Sequence, residues 1–212
     1  MGEHLGFFRS LRELSVPSSA RDVFSRLPVL NTPRLILRPV SLRDAQDIYD
    51  YSRDPEVARH VLWDAHRSVA DSRAYIRFIQ RQYRDGTPSS YAIVLRETNR
   101  VVGTIGFMAY SEENATVEVG YSLARSLWNR GLMTEALDAL LALSFDTMRL
   151  HRVEAQYEVA NPASGHVMRK CGMRHEGTLR GRIFNKGHFS DVELYAILRE
   201  DWQQLHPNNR RD

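Results

Sequence analysis

Between residues 91 and 148 the hydrophobic period changes once, and that change limits the folds open to the chain. The runs YAIVL (91–95), VVGTIGFMAY (101–110) and ATVEVGYSL (115–123) are rich in β-branched and aromatic residues, with only short polar turns between them, the first around Thr98–Asn99. Three such runs in succession predict an antiparallel meander. LMTEALDALLALSFDTM (132–148) then offers good helix formers with a wide apolar face, the strongest helix in the chain. A meander that must be covered by such a helix calls for a layered mix of sheet and helices.

The flanking segments extend this pattern. RLILRPV, after Pro33, alternates as a strand near a sheet edge, with Leu35 and Leu37 on one side and Arg34, Ile36 and Arg38 on the other. Ser41 to Asp44 and Ser68 to Asp71 each fit a capping box, in which a serine and an acid three residues on satisfy each other's backbone N–H. The first predicts a helix to about Ser52, closed by Asp54–Pro55; the second predicts one carrying Tyr75, Ile76, Ile79 and Tyr83 and stopping at Asp85–Gly86. Further on, RVEAQYEVA (152–160) reads as a strand and passes through Asn161–Pro162 into a short helix ending at Gly172. Strands around 177–184 and 189–198 follow, joined by Asn185-Lys186-Gly187. The predicted fold is α/β (α+β mixed): a mostly antiparallel sheet of about seven strands flanked by about four helices, with its crevice where a strand feeds a helix N-terminus.

A length of 212 residues with 42% hydrophobic and 26% charged content suits one globular domain with an appendage. Residues 1–30 read as an N-terminal extension: Phe8, Leu11 and Leu14 recur at helical spacing, Pro17-Ser18-Ser19 breaks them, and Val23, Phe24 and Leu27 follow. This short stripe carries acids among its arginines, which favours packing on the domain or on a partner subunit over a membrane. The domain is expected over 31–205, with 206–212 as a C-terminal tail. The single Cys171 rules out an internal disulfide framework and a multi-cysteine metal site, and the histidines show no HExxH or paired ligand spacing, so no metal is expected. MGEHLGFFRSLREL lacks the features of a signal peptide and no run approaches a membrane span, so the expected location is the cytoplasm, where the Asn114-Ala115-Thr116 sequon has no meaning. The 29 basic residues are interleaved with 26 acidic ones, a solvated surface rather than a nucleic-acid footprint.

Chemistry concentrates in EVGYSLARSLWNRGLMTEA (118–136). A strand ends near Leu123, an arginine-bearing loop follows, and Gly131 sits where the long helix opens. Unpaired N–H groups, a partial positive charge and a glycine that admits a ligand to the backbone suit a pyrophosphate, with Arg125 and Arg130 adding charge-assisted bonds. Taken alone, one glycine at a helix start is a weak signal, and an ordinary turn accounts for it better. Neither GxxxxGK[ST] nor GxGxxG is present, so nucleotide folds of those kinds are not supported.

GYSL followed by WNRGLMTEAL and, about thirty residues later, NPASGHVMRKCGM resembles the GNAT acyltransferases, specifically their ribosomal-protein N-terminal acetyltransferase (RimJ/RimL-like) branch, over roughly residues 32–202. The resemblance implies acetyl-CoA as co-substrate. Its pyrophosphate would lie over Asn129, Arg130, Gly131, Leu132, Met133 and Thr134, and its pantetheine arm along Tyr121, Ser122 and Leu123, on a strand splayed from its neighbour by a bulge. Trp128 and Met133 depart from the Gln/Arg and Gly/Ala of the family's glycine turn. Asn161 and Ser164 match the branch's Asn-x-x-Ser, while Met168 stands where many family members carry an acid-catalytic tyrosine. Ser164 is therefore the candidate to protonate or hydrogen-bond the CoA sulfur, or else a first-turn serine that satisfies backbone groups. Glu118 is the candidate base, or else a solvent-facing member of an alternating strand. Glu176 matches a branch feature and reads as structural; Cys171 reads as a packing residue.

By family analogy Trp63, Phe184 and Tyr195 line an acceptor groove, with core packing as the alternative for each. The implied reaction is direct attack of a primary amine on the thioester in a ternary complex, without an acyl-enzyme. An α-amine of pKa about 8 is roughly a tenth neutral at pH 7, against under about one part in a thousand for lysine, so a protein or peptide N-terminus is the expected acceptor. The alternatives are a small amine such as a polyamine or aminoglycoside, or a non-catalytic acyl-CoA sensor. A homodimer, through the N-terminal extension or the last strands, is expected by the same analogy.

Overall fold

The computed structural model describes residues 20–207. In chain order α1 (Ala20–Ser25) precedes the short β1 (Leu30–Asn31) and β2 (Leu35–Pro39). The first capping box forms as expected but starts a single 3-10 turn, after which α2 (Ala45–Ser52) and α3 (Pro55–Ala58) follow. The second box opens α4 (Val69–Asp85), which Gly86 closes in the left-handed conformation at φ 62°. The meander is β3 (Ser90–Leu95), β4 (Arg100–Ser111) and β5 (Thr116–Leu123). After α5 (Leu132–Ala142) come β6 (Arg152–Glu158), α6 (Pro162–Lys170), β7 (Arg174–Asn185), β8 (His188–Leu198) and α7 (Arg199–Leu205). The apolar run predicted as one helix to 148 is α-helical only to Ala142 and continues as a wider π turn over Leu143–Thr147.

Among the described residues the sheet has eight strands in the order β1-β2-β3-β4-β5-β6-β8-β7. Every adjacent pair is antiparallel except β5 and β6, which α5 joins as a crossover, as a parallel pair requires. The small β1 edge was not expected from the sequence and accounts for the eighth strand. Lys186 (φ 48°) and Gly187 (φ 85°) form the two-residue turn that sets β7 against β8, both in the left-handed region that such hairpins demand.

Each face of the sheet has its own core. On one, Leu35, Leu37, Ile105, Phe107, Val117 and Val119 meet α5 through Leu137, Leu140 and Leu141. Val23, Phe24 and Leu27 join this core, with Phe24 edge-on to Phe107 at 5.3 Å between ring centres, so the second apolar group of the N-terminal region packs on the domain. Phe8, Leu11 and Leu14 lie outside the described residues. On the other face Ile48, Tyr51, Ile76 and Ile79 of α2 and α4 cover Ala92, Val94 and Val101. Each of these fully buried aliphatic side chains contributes about 1.5–3 kcal/mol, so the sheet is rigid from both sides.

Candidate active site

Rigidity on both faces makes one opening in the sheet conspicuous. β5 and β6 pair only through Thr116–Glu118 and Arg152–Glu154, although β5 runs on to Leu123 and β6 to Glu158. Beyond Glu118 the strands part. A bulge in β4 lies beside the divergence: Phe107 pairs with Val119 and Ala109 with Glu118, leaving Met108 as the extra residue. Bulges add local twist, and the Met108 side chain fills the space where a Cβ on Gly120 would fall, its Cγ 3.0 Å away.

The phase of β5 fixes which backbone groups face the gap. The Ala124 N–H donates to the Val102 carbonyl at 2.8 Å, so the backbone groups of Gly120, Ser122 and Ala124 are spent on β4. By strand alternation those of Tyr121 and Leu123 face the opening. The Leu123 carbonyl is taken by the Trp128 indole N–H at 2.8 Å, which leaves the Leu123 N–H and both groups of Tyr121. Trp128, a departure from the family pattern, thus ties the loop to the strand end.

At the same end α5 starts from Gly131 in the left-handed conformation (φ 74°), two residues after the left-handed Asn129 (φ 61°), and no side chain caps the helix. Asn129, Arg130 and Gly131 are exposed, Thr134 is half-buried, and Leu132 and Met133 are buried in the main core. Met133 therefore occupies the family's small-residue position without crowding the surface of the loop. Glu135, in the first turn, anchors the approach to β2: it accepts from the Thr32 hydroxyl (2.6 Å), the Arg34 N–H (2.8 Å) and the Arg34 guanidinium (2.6 Å). Burial works against its ionisation, yet these donors hold the Glu135 carboxyl below the usual carboxylate range.

Across the gap, α6 begins at Asn161 with Pro162 in its first turn. The Asn161 side-chain amide donates to Ser164 Oγ at 3.1 Å, and the Tyr121 hydroxyl donates to the Ser164 carbonyl at 3.0 Å. Burial pushes the Tyr121 phenol well above its ordinary pKa, so it stays protonated and the bridge persists. Gly165 lets α6 sit against β6, since a Cβ there would fall 2.4 Å from the Tyr157 hydroxyl. Met168 and Cys171 are buried; burial pushes the Cys171 thiol up to about 12, and its sulfur donates to the Thr134 carbonyl at 3.4 Å. An unreactive packing residue is what such a thiol is suited to be.

Glu118 sits where the strands separate, half-buried, with Oε1 accepting from the Gln156 side chain at 2.8 Å. It is neither a freely solvated member of the alternation nor a buried core residue. Glu158, on the same face of β6, accepts from Asn185 at 2.8 Å and bonds His60 Nδ1 at 2.8 Å. Lys186 Nζ donates to the carbonyls of Ala58 (2.7 Å) and Val61 (2.8 Å), so the hairpin tip and the 59–63 loop are stapled over this face.

The structure does not bring Trp63, Phe184 and Tyr195 together. Trp63 packs half-buried on the α2/α4 face, 5.5 Å from the His66 ring. Phe184 is 62% exposed and meets Phe189; because the adjacent Asn185 turns to Glu158, Phe184 projects from the other face of the hairpin. Tyr195 is buried in the main core, its hydroxyl accepting from Arg169 at 2.8 Å, and so takes the packing role. Gln156, Tyr157, His60 and Glu158 carried no signal of their own in sequence; the β5/β6 register is what brings Gln156 to Glu118. Glu176 is an ion-pair partner of Arg152, as its structural reading implied. Among the described residues no group of three or more metal-capable side chains occurs, and no helix is long and apolar enough to cross a membrane.

The family model for the acetyltransferase (GNAT) domain matches residues 34–174. The chain is 32% identical over 176 residues to the uncharacterized N-acetyltransferase p20 of Bacillus licheniformis, covering 83% of this chain and 99% of that one. The chain belongs to the GNAT acetyltransferase family. It is also 26% identical over 181 residues to the [ribosomal protein uS5]-alanine N-acetyltransferase of Escherichia coli K12, covering 82% of this chain and 92% of the relative. In fold it is similar to RimL, a ribosomal L7/L12 α-N-protein acetyltransferase solved with coenzyme A, at a TM-score of 0.72 and 21% identity, covering 81% of this chain and 98% of the other. This GNAT protein is an N-acetyltransferase that uses acetyl-CoA.

Proposed function

We propose that this GNAT enzyme acetylates the α-amino group of a protein or peptide in the cytoplasm, by direct attack within a ternary complex. The observation that carries the reading is the parting of β5 and β6 after Glu118: it places free backbone groups of Tyr121 and Leu123 between an uncapped helix start on one side and a carboxylate on the other. The pantetheine arm pairs with those groups as an added strand would. The pyrophosphate rests on the N–H groups over residues 129–134, with Asn161 and Ser122 bordering the arm. Relatives that bind coenzyme A or act on ribosomal-protein N-termini support the donor and the acceptor respectively.

In this reading the amine nitrogen attacks the thioester carbonyl carbon and gives its proton to Glu118, directly or through one water. The Gln156 amide holds one carboxylate oxygen and leaves the other for that task. The carbon–sulfur bond then breaks and CoA leaves as a thiolate. Ser164 already accepts from Asn161, so its hydroxyl hydrogen remains free to bond the sulfur. General-base help is worth about 10²- to 10⁴-fold, and holding two substrates in register is worth at least as much. Trp63 borders the acceptor side, and the exposed Phe184–Phe189 pair offers a surface for a second copy of the chain.

Mass spectrometry of acetyl transfer to a panel of free and blocked N-terminal peptides, lysine peptides, polyamines and aminoglycosides tests the proposal. Labelling confined to free N-termini is expected. Labelling confined to small amines would move the acceptor to that class, and tight acetyl-CoA binding without labelling of any amine would make the protein a sensor.

A further inference from the structure

The residue that anchors the donor loop is Arg34, 101 positions from its main partner in sequence. Three of its donors are committed: Nε to Glu135 Oε2 at 2.6 Å, the backbone N–H to Glu135 Oε1 at 2.8 Å, and Nη1 to the Arg130 carbonyl at 2.9 Å. The last of these fixes the peptide immediately before the left-handed Gly131. Nη2 has no partner among the described residues and lies 3.6 Å from where a Cβ on Gly131 would stand. The side chain is 49% exposed, so this free nitrogen is open to solvent at the helix start.

Charge gives the arrangement a purpose that packing alone does not. A bare carboxylate in the first turn stabilises a helix but repels an anion seated at the same terminus. Arg34 neutralises Glu135 and points its remaining donor at the anion's place. The rigid guanidinium fork can hold a carboxylate on one edge and a phosphate on another, which a lysine ammonium cannot reproduce.

We propose that Arg34 is a phosphate-binding and positioning residue of the donor site: it holds the Arg130–Gly131 peptide in place and gives its free Nη2 to the pyrophosphate of acetyl-CoA. The proposal rests on reading residues 129–134 as the pyrophosphate seat. It extends that seat to a side chain of the first long strand's approach, outside the glycine turn.

The test compares two donors, acetyl-CoA and S-acetylpantetheine, which lacks the pyrophosphate and nucleotide. Dissociation constants for both are measured on the wild type, Arg34→Ala, Arg34→Lys and Gly131→Val. The quantity read is the preference for acetyl-CoA over S-acetylpantetheine, because a merely structural loss weakens both donors and leaves their ratio in place. Arg34→Ala should lower the ratio roughly 10- to 100-fold, the range of one charge-assisted hydrogen bond to an ion, and Arg34→Lys should recover only part of it. An unchanged ratio in Arg34→Ala overturns the assignment. If Gly131→Val lowers the ratio while Arg34→Ala does not, Arg34 alone is excluded; if neither variant lowers it, the seat at 129–134 falls as well.

Discussion

The two halves of the proposed site are built by different means. The donor half, from Tyr121 to Thr134, is mostly backbone: strand groups left unpaired by the parting of β5 and β6, and a helix start opened by a left-handed glycine. The acceptor half is made of side chains held across the fold, Glu118 by Gln156, Glu158 by His60 and Asn185, and the 59–63 loop by Lys186. Backbone sites tolerate side-chain change, which is why Trp128 and Met133 can replace the commoner family residues: one bonds the strand end and the other is buried in the core. Side-chain sites do not, so acceptor choice is free to drift while donor binding stays fixed.

Breaking each half should leave a different kinetic mark. The largest effect is expected at Glu118: Glu118→Gln keeps the shape and the contact with Gln156 but removes the base, and kcat should fall by about 10²-fold or more. Stopped or steady-state turnover checks this, and an unchanged kcat at saturating substrates would remove Glu118 as base. Gly131→Val forces a β-branched residue into φ 74° and thickens the loop surface, so the KM for acetyl-CoA should rise by roughly 10- to 100-fold with a smaller change in kcat. Asn185→Ala releases the hairpin tip from Glu158 and Val61; the acceptor KM should rise by a few-fold, about the value of one hydrogen bond, while the acetyl-CoA KM holds.

How much of this was legible follows the same division. The capping boxes, the meander, the crossover helix and the final hairpin were readable because each is written in contiguous residues with a single period. The glycine turn that opens α5 was readable for the same reason. Two of the contacts that close the proposed acceptor half join residues far apart in the chain, 98 positions for His60 to Glu158 and 125 for Lys186 to Val61, and no local pattern encodes them. Phe184 shows the cost: an aromatic in the last hairpin suggests a groove, but the face it occupies depends on Asn185 and on the register shifts of β7. Glu135 was hidden in plain view, since an acid in a first turn is ordinary until its partner at Arg34 is known.

Two smaller effects sharpen the contrast. Because the folded-state pKa of Glu135 is depressed, its tie to Arg34 is fully present above the ordinary carboxylate value and is lost as pH falls through the lower folded value. Folding stability should therefore fall in acid below about pH 4.5, and Glu135→Gln should flatten that dependence, as unfolding measured across pH will show. Cys171→Ala should leave turnover within about twofold of wild type, since the proposed reaction uses no acyl-enzyme and the thiol is held neutral by burial.

The division between halves is tested most directly by titrating acetyl-CoA into Glu118→Gln and Gly131→Val under identical conditions and measuring acetyl transfer by each. Glu118→Gln should bind acetyl-CoA as the wild type does and transfer it slowly; Gly131→Val should bind it poorly and recover transfer as the donor concentration is raised. Weak donor binding by Glu118→Gln, or wild-type binding by Gly131→Val, would contradict the assignment of donor to the helix start and base to the parted strand.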